Sequence, residues 1–372
     1  MAEIAPLVRR PIRVEPDQLY QEIGVRSFGK GVFHKPPSTS LTIGDKKVFA
    51  IEPGDLLFNI VFAWEGAVAV ASEAEHGMIG SHRFLTCVPN PRLAIATYLF
   101  WHFVHGRGLK QLQRASPGGA GRNKTLGIDK LAAITVDLPA IPEQRRVVAK
   151  LEAAVQEIAR RHQSVELTRA EVNATLNASF RKLIAGAPQR AIRDIAPLVR
   201  RPVPVDPDGS YPELGVRSFG KGTFHKPALS GIEVGSKRLF EVHAGDLVFN
   251  IVFAWEGAVA VATAGDDGRV GSHRFLTCVP DRSRATSEFL RFHFLTPEGI
   301  HQLGAASPGG AGRNRTLGLK ALETIRVPVP SLDAQLWFDE LQKRASRVVA
   351  AQSEVASELG CLIPALLSET FH

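Results

Sequence analysis

Two copies of a glycine-rich basic loop carry the residues best suited to bind a charged ligand. The first copy reads SPGGAGRNKT from Ser116 to Thr125, and the second reads SPGGAGRNRT from Ser307 to Thr316. Such a loop can hold phosphate, because glycines let backbone amides approach an anion while Arg and Lys supply positive charge. The phosphates would belong either to a bound nucleotide or to a nucleic acid.

The nucleotide interpretation fails on the residues themselves. A Walker A loop ends in Gly-Lys-Ser/Thr, where the glycine lets the backbone fold around phosphate and the lysine reaches the terminal phosphates. Asn123 and Asn314 stand in place of that glycine, and the lysine is replaced by Arg315 in the second copy. The segment before the loop, GRGLKQLQR, has the pattern of a basic helix and not of a core strand.

The remaining interpretations are a DNA-contacting loop and a solvated surface loop. Arg and Asn side chains have the forked geometry that reads guanine and adenine edges. Identity between the copies from Ala115 to Asn123 favours a DNA contact, because free loops diverge readily after duplication. The predicted contact residues of the loops are Ser116, Arg122, Asn123, Lys124, Thr125, Ser307, Arg313, Asn314, Arg315 and Thr316.

Three other repeated segments, VRSFGKG, FHKP and GSHRF, contribute further polar residues. The residues of VRSFGKG and FHKP are either DNA contacts or solvated charges of a hairpin, and His82 of GSHRF is either a DNA contact or a structural histidine. The predicted DNA-binding residues here are Arg26, Lys30, His34, Lys35, Ser81, His82, Arg83 and their counterparts Arg217, Lys221, His225, Lys226, Ser272, His273 and Arg274. Asn59, Trp64 and Glu65 lie among apolar residues and are expected to be structural.

Catalytic and metal-binding motifs are missing from the sequence. It contains no Asn-Pro-Pro methylation motif, no GxGxxG after a strand and no HExxH. A duplicated hydrolase using Asp55, Glu65 and His82 would need more partners than these. We therefore expect a protein without catalytic activity, metal or cofactor of its own.

Composition places the chain among globular proteins, and its basic balance is compatible with a polyanionic partner. It has 372 residues, 44% hydrophobic and 22% charged, and a formal net charge of +8. Cys87 and Cys278 occupy equivalent apolar FLTCVP segments and are expected to be small buried residues, with neither zinc nor a disulfide. The N-terminus lacks the apolar core of a signal peptide, and LLFNIVFAWEGAVAVA is interrupted by Asn59 and Glu65. A cytoplasmic setting is expected.

An internal repeat dominates the organisation of the chain. IAPLVRRP begins at Ile4 and at Ile195, an offset of 191 residues, and the segments GVRSFGKG, FHKP and GSHRFLTCVP recur at the same offset. One unit this long, present twice, is a duplicated domain and not a solenoid. The two copies are expected to share a fold and, where their surfaces match, a ligand.

Each copy is predicted to be an α+β domain. VFAIEPGDLLFNIVFAWEGAVAVAS has the pattern of short strands around a tight turn at Gly54 and Asp55, and RFLTCVP that of a buried strand. AIATYLFWHFVHGRGLKQLQR has helical spacing. Its candidate core residues are Tyr98, Leu99, Trp101, Phe103 and Leu109.

A long helix is predicted after each copy. The first begins near Pro142, which suits a first helical turn, and contains no glycine until Gly186. Its apolar stripe comprises Val148, Leu151, Val155, Ile158, Val165, Val172 and Leu176. The second helix begins after Asp333 and is bent or ended by Pro364. Its stripe comprises Phe338, Leu341, Ala345, Val348, Val355, Leu359 and Leu362.

These elements predict two duplicated globular domains and two long helices that pair as an antiparallel coiled coil. A helix of about 40 residues is about 60 Å long, and its amphipathic face needs a partner, for which its duplicate is at hand. The predicted boundaries are 1–141 for the first domain, 142–185 for the first helix, 186–332 for the second domain and 333–372 for the second helix.

The segment that joins the first domain to its helix resembles specificity subunits of type I restriction-modification systems. The matching residues are Leu131, Ile134, Val136, Leu138, Pro139, Ile141, Glu143, Gln144, Val147 and Leu151. EPGDLLFNIVFAWEGAVAV resembles the Gly-Asp strand segment of that family, and the order domain, helix, domain, helix extends the resemblance over the whole chain. The second copy keeps Pro330 and Gln335 but lacks the Glu and the basic pair.

The resemblance implies a DNA-reading subunit. Each target recognition domain would bind half of a bipartite site on double-stranded DNA, and the helices would act as a ruler and dock two methyltransferase subunits. Restriction/translocase subunits would join for cleavage, and adenine methylation with S-adenosylmethionine would belong to the partners. Because the predicted reading loops match, we expect an inverted repeat, unless base contacts lie in the divergent residues 37–48 and 90–114. The alternative is a stand-alone DNA- or RNA-binding scaffold of another defence or regulatory system.

Overall fold

A computed structural model describes residues 1–119, 123–310 and 315–371 of the chain. The chain forms two compact units, one comprising Met1–Val165 with Gln352–His372 and the other Glu166–Ala351. Each unit contains one copy of the repeat and parts of both long helices. We call residues 1–140 the first globule and residues 185–331 the second globule.

The first globule is built from short antiparallel strands and short helices. Its strands are β1 (Ile23–Val25), β2 (Val32–His34), β3 (Val48–Ala50), β4 (Leu56–Asn59), β5 (Val68–Val70), β6 (Ile79–Ser81) and β7 (Phe84–Cys87). They form a three-stranded sheet in the order β5-β4-β7 and two pairs, β1-β2 and β3-β6. Its helices are α1 (Ser40–Ile43), α2 (Ala96–Val104), α3 (Gly106–Ala115) and α4 (Ile128–Ala132), and the long helix α5 (Ile141–Ile184) follows.

The second globule has the same plan with longer strands. Its strands are β8 (Gln189–Ala191), β9 (Leu198–Val199), β10 (Pro202–Val203), β11 (Ser210–Val216), β12 (Thr223–Ser230), β13 (Leu239–Val242), β14 (Leu247–Asn250), β15 (Val259–Val261), β16 (Arg269–Ser272), β17 (Phe275–Cys278) and β18 (Arg326–Pro328). They form sheets in the orders β10-β13-β16-β11-β12, β15-β14-β17-β9 and β18-β8. Its helices are α6 (Ile192–Ile195), α7 (Gly231–Val234), α8 (Ser287–Leu295), α9 (Pro297–Ala305) and α10 (Leu319–Thr324).

The registers of the two globules correspond residue by residue. Leu56 of β4 pairs with Cys87 of β7, and 191 residues later Leu247 of β14 pairs with Cys278 of β17. Strands β4 and β14 are completely buried apart from their last residues, as their continuous apolar sequences require. Both cysteines are buried and free, as the sequence predicted.

The predicted helix from residue 94 to 114 is two helices. The backbone is extended at His105, between α2 and α3, and the next residue, Gly106, has a φ of 55°. Of the predicted core residues, Tyr98, Leu99 and Phe103 are buried, whereas Trp101 and Leu109 are only partly buried. The break lets both helices pack on the globule, because a continuous helix of this length would carry its second half away from the sheet.

The predicted turn at Gly54 and Asp55 exists, but its function is to hold an ion pair. The Asp55 carboxylate is buried and accepts two hydrogen bonds from the Arg10 guanidinium, at 2.7 and 3.0 Å. Arg201 and Asp246 repeat this pair at 2.6 and 3.2 Å. The pair ties the N-terminal segment of each copy to its central sheet, so Asp55 is occupied by a structural partner.

The long helix α5 begins at Ile141 and is fastened to the first globule by Gln144. This side chain is fully buried, and its amide donates to the backbone carbonyls of Leu93 and Pro139, at 2.9 and 2.8 Å. Its carbonyl accepts from the backbone N–H of Ile95 at 2.9 Å. In the second globule, Gln335 makes the equivalent three bonds, so the glutamine retained in both copies positions the start of each long helix.

The second long helix consists of α11 (Leu332–Gly360) and α12 (Leu362–Thr370). The break lies before Pro364, because its ring clashes with the carbonyl of Gly360 four residues earlier and removes a donor. The predicted apolar stripes are partly wrong. Val155, Val348, Val355 and Leu362 are exposed, whereas Ala356 is buried.

A phenylalanine near the end of each long helix packs on a globule. Phe371 lies edge-on to Tyr98 of the first globule, with ring centroids 5.2 Å apart. Its repeat equivalent Phe180 packs against Phe289 and Phe338 in the second unit, with centroids 5.3 and 5.4 Å apart. Each globule is therefore completed by the last turns of a long helix.

No helix in the described part of the chain combines the length and the apolar character needed to cross a bilayer.

Candidate nucleic-acid interface

An open groove of about 540 Å³ collects several of the predicted residues of the first globule. It lies between the β1–β2 loop and the turn between β6 and β7. Its predicted residues are Arg26, Lys30, Lys35, Ser81 and Arg83, and Asn59 also contributes to its wall. A groove with several cationic side chains and few acidic ones is suited to a polyanion.

The second globule has a groove of about 520 Å³ at the corresponding place. The predicted residues in its wall are Lys226, Ser272, His273 and Arg274, and Asn250 again contributes. Arg217 and Lys221 are exposed but do not line it. The two copies therefore present the same Lys, Asn, Ser and Arg positions on similar surfaces.

Some predicted DNA contacts already have carboxylate partners in the fold. His34 Nε2 lies 2.6 Å from Glu75, and Lys35 Nζ lies 2.8 Å from Glu22. The second globule repeats both pairs. His225 lies 2.9 Å from Asp266, and Lys226 lies 3.6 Å from Glu213. These four side chains stabilise the β1–β2 and β11–β12 hairpins, and they would have to share their charge with any ligand.

Burial and hydrogen bonds shift the pKa values of the carboxylates beside these histidines in opposite directions. Burial raises the pKa of Glu75, but hydrogen bonds from Ser72 and His34 outweigh it, so the net pKa is lowered. Burial likewise raises the pKa of Asp266, and bonds from Thr263, His225 and Thr223 more than compensate. Both carboxylates are therefore anionic at neutral pH, where they orient the imidazoles.

In the turn between β6 and β7, His82 and Arg83 are exposed. The Ser81 hydroxyl accepts the backbone N–H of Arg83 at 3.4 Å, and Ser272 accepts that of Arg274 at the same distance. No carboxylate in the described part of the chain forms an ion pair with either arginine. The two guanidinium groups are thus free to meet a phosphate or a base.

The glycine-rich loops are described only in part. Arg122, Arg313 and Asn314, predicted as DNA contacts, lie outside the described residues. Asn123 and Thr125 are exposed and Thr316 is half-buried, so all three remain predictions.

Ser116 and Ser307 are buried, with 2% and 1% of their surface exposed, unlike the prediction that they contact DNA. The Ser307 hydroxyl donates to the Leu303 carbonyl at 2.6 Å, one helical turn back. Each serine closely follows the helix that precedes its loop, and its hydroxyl is buried away from any ligand; in the described part of the chain, that of Ser116 has no hydrogen-bond partner.

Lys124 and Arg315 share one structural position in spite of their different side chains. Lys124 Nζ lies 4.6 Å from the ring centroid of Trp64, and the Arg315 guanidinium lies 5.2 Å from that of Trp255. A cation over an indole face is an attractive arrangement. Arg315 also donates to the carbonyls of Ser307 and Gly304, at 3.1 and 2.8 Å. The half-buried tryptophans, expected in the core, therefore fasten the end of each loop.

Sequence reasoning missed two residues of this surface, Phe28 and Phe219. They are exposed phenylalanines at the tips of the β1–β2 and β11–β12 loops, with φ angles of 62° and 61°. A signal was present, since an apolar residue stood inside the glycine-flanked, repeated segment VRSFGKG. Glu65, expected to be structural, accepts the Ser27 hydroxyl at 2.8 Å and so supports the same loop.

In the described ranges, no three or more His, Cys, Asp and Glu side chains lie together in a way that could hold a metal ion.

Comparison with known proteins gives matches only among solved structures. No protein-family model and no curated protein matches the chain. The HsdS subunit from Thermoanaerobacter tengcongensis aligns with a TM-score of 0.59 at 18% identity, over 100% of this chain and 95% of that chain. The type I restriction-modification S subunit from M. genitalium aligns with a TM-score of 0.51 at 13% identity, over 100% and 94%.

A third solved structure comes from work on the structural basis of complex assembly and conformational transition of the type I R-M system. It aligns with a TM-score of 0.66 at 18% identity, over 99% of this chain and 98% of that chain. At such identities the likeness concerns the fold. Along its whole length the chain is similar in structure to type I restriction-modification S subunits, as the resemblance in its sequence predicted.

Proposed function

We propose that the chain is a sequence-specific DNA-binding specificity subunit of a type I restriction-modification complex. The observation that carries the proposal is the duplicated groove, in which Arg83 and Arg274 occupy equivalent positions beside Asn59 and Asn250. Free guanidinium groups supply the salt-dependent attraction to phosphates and can bind guanine edges, while Asn can bind adenine. The whole-length likeness to S subunits supports the same function.

The two globules would each read one half of a bipartite site. Since the polar residues of their grooves match, the two half-sites would have the same sequence. Two equal readers related by antiparallel helices would face opposite strands, so the site would be an inverted repeat with a nonspecific spacer. This symmetry requires that the base contacts lie in the matching grooves and not in the divergent residues 37–48 and 90–114.

The long helices would pair antiparallel and set the distance between the half-sites. The way in which the two helices are divided between the compact units supports this pairing. The first part of α5 belongs to the unit that contains Gln352–His372, and its second part to the unit that contains the first part of α11. Val148, Leu151 and Val165 are buried on α5, as an interhelical seam requires.

The remaining outward faces of the helices would dock two methyltransferase subunits, with restriction/translocase subunits joining for cleavage. Adenine methylation would take place in the methyltransferase subunits with their S-adenosylmethionine. The chain itself would recognise the DNA and set the spacing of the half-sites, and it would contribute no catalytic residue.

Methylome sequencing tests the proposal in a host that carries this gene with its neighbours. Deleting the gene is expected to abolish one methylated motif, and the wild-type gene should restore it. A gene encoding Arg83→Ala with Arg274→Ala should restore it poorly, whereas Arg13→Ala, a change at an exposed arginine outside the grooves, should act as wild type.

Three outcomes separate the parts of the proposal. Two half-sites of the same sequence in inverted orientation are expected, and two unrelated half-sites would disprove the symmetry. An unchanged methylome after deletion would disprove the restriction-modification function. A pull-down that recovers DNA but no methyltransferase would then favour the stand-alone scaffold.

A further inference from the structure

Phe28 and Phe219 hold a strained backbone and an exposed ring at the same time. Their φ angles of 62° and 61° lie in the left-handed region, which a bulky residue rarely adopts. The two residues are 70% and 72% exposed, so little packing within the chain offsets this strain. Glycine would fit both positions without strain. Strain that is kept without local benefit is a feature of functional sites.

The backbone around each ring is firmly held. The N–H of Phe28 donates to the Glu65 carbonyl and that of Gly29 to the Gly66 carbonyl, both at 2.9 Å. In the second copy Phe219 donates to Glu256 at 2.8 Å and Gly220 to Gly257 at 2.9 Å. The fold therefore fixes the backbone at the tip of the loop and presents the side chain outward, so little backbone entropy is left to lose on binding.

The surroundings of the rings indicate what they meet. Lys30 Nζ lies 5.9 Å from the ring centroid of Phe28, and Lys221 lies at the same distance from Phe219. Phe28 also lines the cationic groove together with Arg26 and Arg83. A flat apolar ring among cations matches a nucleic acid, whose bases offer π faces and whose phosphates offer charge. A purely apolar protein surface would not need the lysines.

We propose that Phe28 and Phe219 each contact a nucleobase face in the bound DNA, as a wedge that opens a base step in each half-site. Apolar side chains inserted between base steps unstack and bend the duplex. Lys30 and Lys221 would hold the phosphates beside the opened step. This proposal rests on the DNA-binding function proposed above and adds the contact by which the DNA is distorted.

The test uses the full chain and a DNA duplex selected from a random pool by the wild-type protein. Phe28→Gly with Phe219→Gly removes both rings and relieves the φ strain. We expect the melting temperature to stay equal or to rise, while affinity for the selected duplex falls about tenfold per ring, the lower part of the range for base stacking. The salt dependence of binding should keep its slope, because no charge is removed.

A second measurement reports the opened step directly. With 2-aminopurine at successive positions of the selected half-site, the wild-type protein should raise the fluorescence at one step, and the glycine variant should not. Phe28→Trp with Phe219→Trp should keep both the affinity and the signal. As a matched control, Ile128→Ala with Leu319→Ala removes two exposed apolar side chains from equivalent positions of the copies and should change neither.

Each result decides for or against the proposal. Wild-type affinity in the glycine variant, or an equal loss in the Ile128→Ala/Leu319→Ala control, would overturn the wedge while leaving DNA binding intact. A lower melting temperature in the glycine variant would assign the rings to the stability of the fold and would also overturn it. Failure of the wild-type protein to select any duplex would instead refute the proposed function.

Discussion

The backbone N–H of Ile95 donates to the side-chain carbonyl of Gln144 at 2.9 Å, which fastens the first turn of α5 to the segment before α2. Gln144 also donates hydrogen bonds to the carbonyls of Leu93 and Pro139, so this one side chain satisfies three backbone groups. The second copy keeps this glutamine as Gln335 but replaces Glu143 by Ala334. The glutamine is retained because it is a buried junction, whereas the glutamate lies at the surface.

Replacing Gln144 by Leu should destabilise the first unit by about 2 kcal/mol or more, because an unsatisfied buried polar group costs about 1 to 3 kcal/mol. Urea unfolding monitored by tryptophan fluorescence measures the change. Glu143→Ala is the matched control one residue away. Its ion pair with Arg146 is exposed, so its loss should cost less than about 1 kcal/mol. Equal losses in the two variants would contradict the junction.

The ion pair of Arg10 and Asp55 predicts that removing Arg10 lowers the free energy of unfolding more than removing the exposed Arg13 does. Arg10→Ala leaves a buried carboxylate without its cation and should cost about 2 to 3 kcal/mol, less than the about 3 to 5 kcal/mol of a fully buried pair, because Arg10 itself is partly exposed. The control Arg13→Ala loses only a long contact of 3.9 Å to Glu15 and should be neutral. The measurement is the free energy of unfolding, and a neutral Arg10→Ala would refute the tether.

The sequence allowed the architecture to be predicted because the repeat and the periodicity are long-range signals. The α+β class, the buried strand RFLTC and both long helices follow from apolar patterns that span many residues. The break at His105 was missed, because a single extended residue changes the direction of the chain without changing the apolar spacing. On α11 the apolar spacing likewise assigned the wrong face, since Val348 and Val355 are exposed and Ala356 is buried.

The candidate site was predictable in residue type and only partly in geometry. The repeated polar segments did come together at the grooves, since Arg26, Lys35 and Arg83 lie in different segments and line one cavity. Burial of Ser116 was not visible, because the serine ends a helix whose last turn points inward. The pairing of His34 with Glu75 joins residues 41 positions apart, and no local pattern encodes such a contact.

Two buried histidines predict a loss of stability on acidification. Burial lowers the pKa of His102 and of His293 below the ordinary value of 6.5, and the bonds to Gln111 and Gln302 oppose this only in part. The unfolded chain therefore binds more protons than the fold below about that pH, so stability is lost as the pH falls. Thermal melts between pH 8 and pH 5 should show this decline, and His102→Gln with His293→Gln should flatten it. An unchanged slope would refute the assignment.

The cysteines predict selective labelling. Burial raises the pKa of the Cys87 and Cys278 thiols to about 12, so neither forms the reactive thiolate near neutral pH. Cys361 is exposed at the break between α11 and α12. Iodoacetamide at pH 8 should modify Cys361 alone, and all three thiols only after unfolding in urea. Mass spectrometry of tryptic peptides locates the label, and modification of Cys87 in the folded protein would contradict its burial.

The free arginines of the two grooves predict a salt-dependent loss of DNA binding. Arg83→Ala with Arg274→Ala removes two unpaired cations and should lower the affinity for the selected duplex, with the slope of log affinity against log salt reduced by about 2 if both contact phosphate. Lys35→Ala with Lys226→Ala removes the same formal charge, but these lysines already pair with Glu22 and Glu213. Their loss should therefore change the slope less. Fluorescence anisotropy over a series of salt concentrations measures both slopes. If the lysine variant lost as much as the arginine variant, net charge alone would explain binding, and the free guanidinium groups would have no special role in the groove.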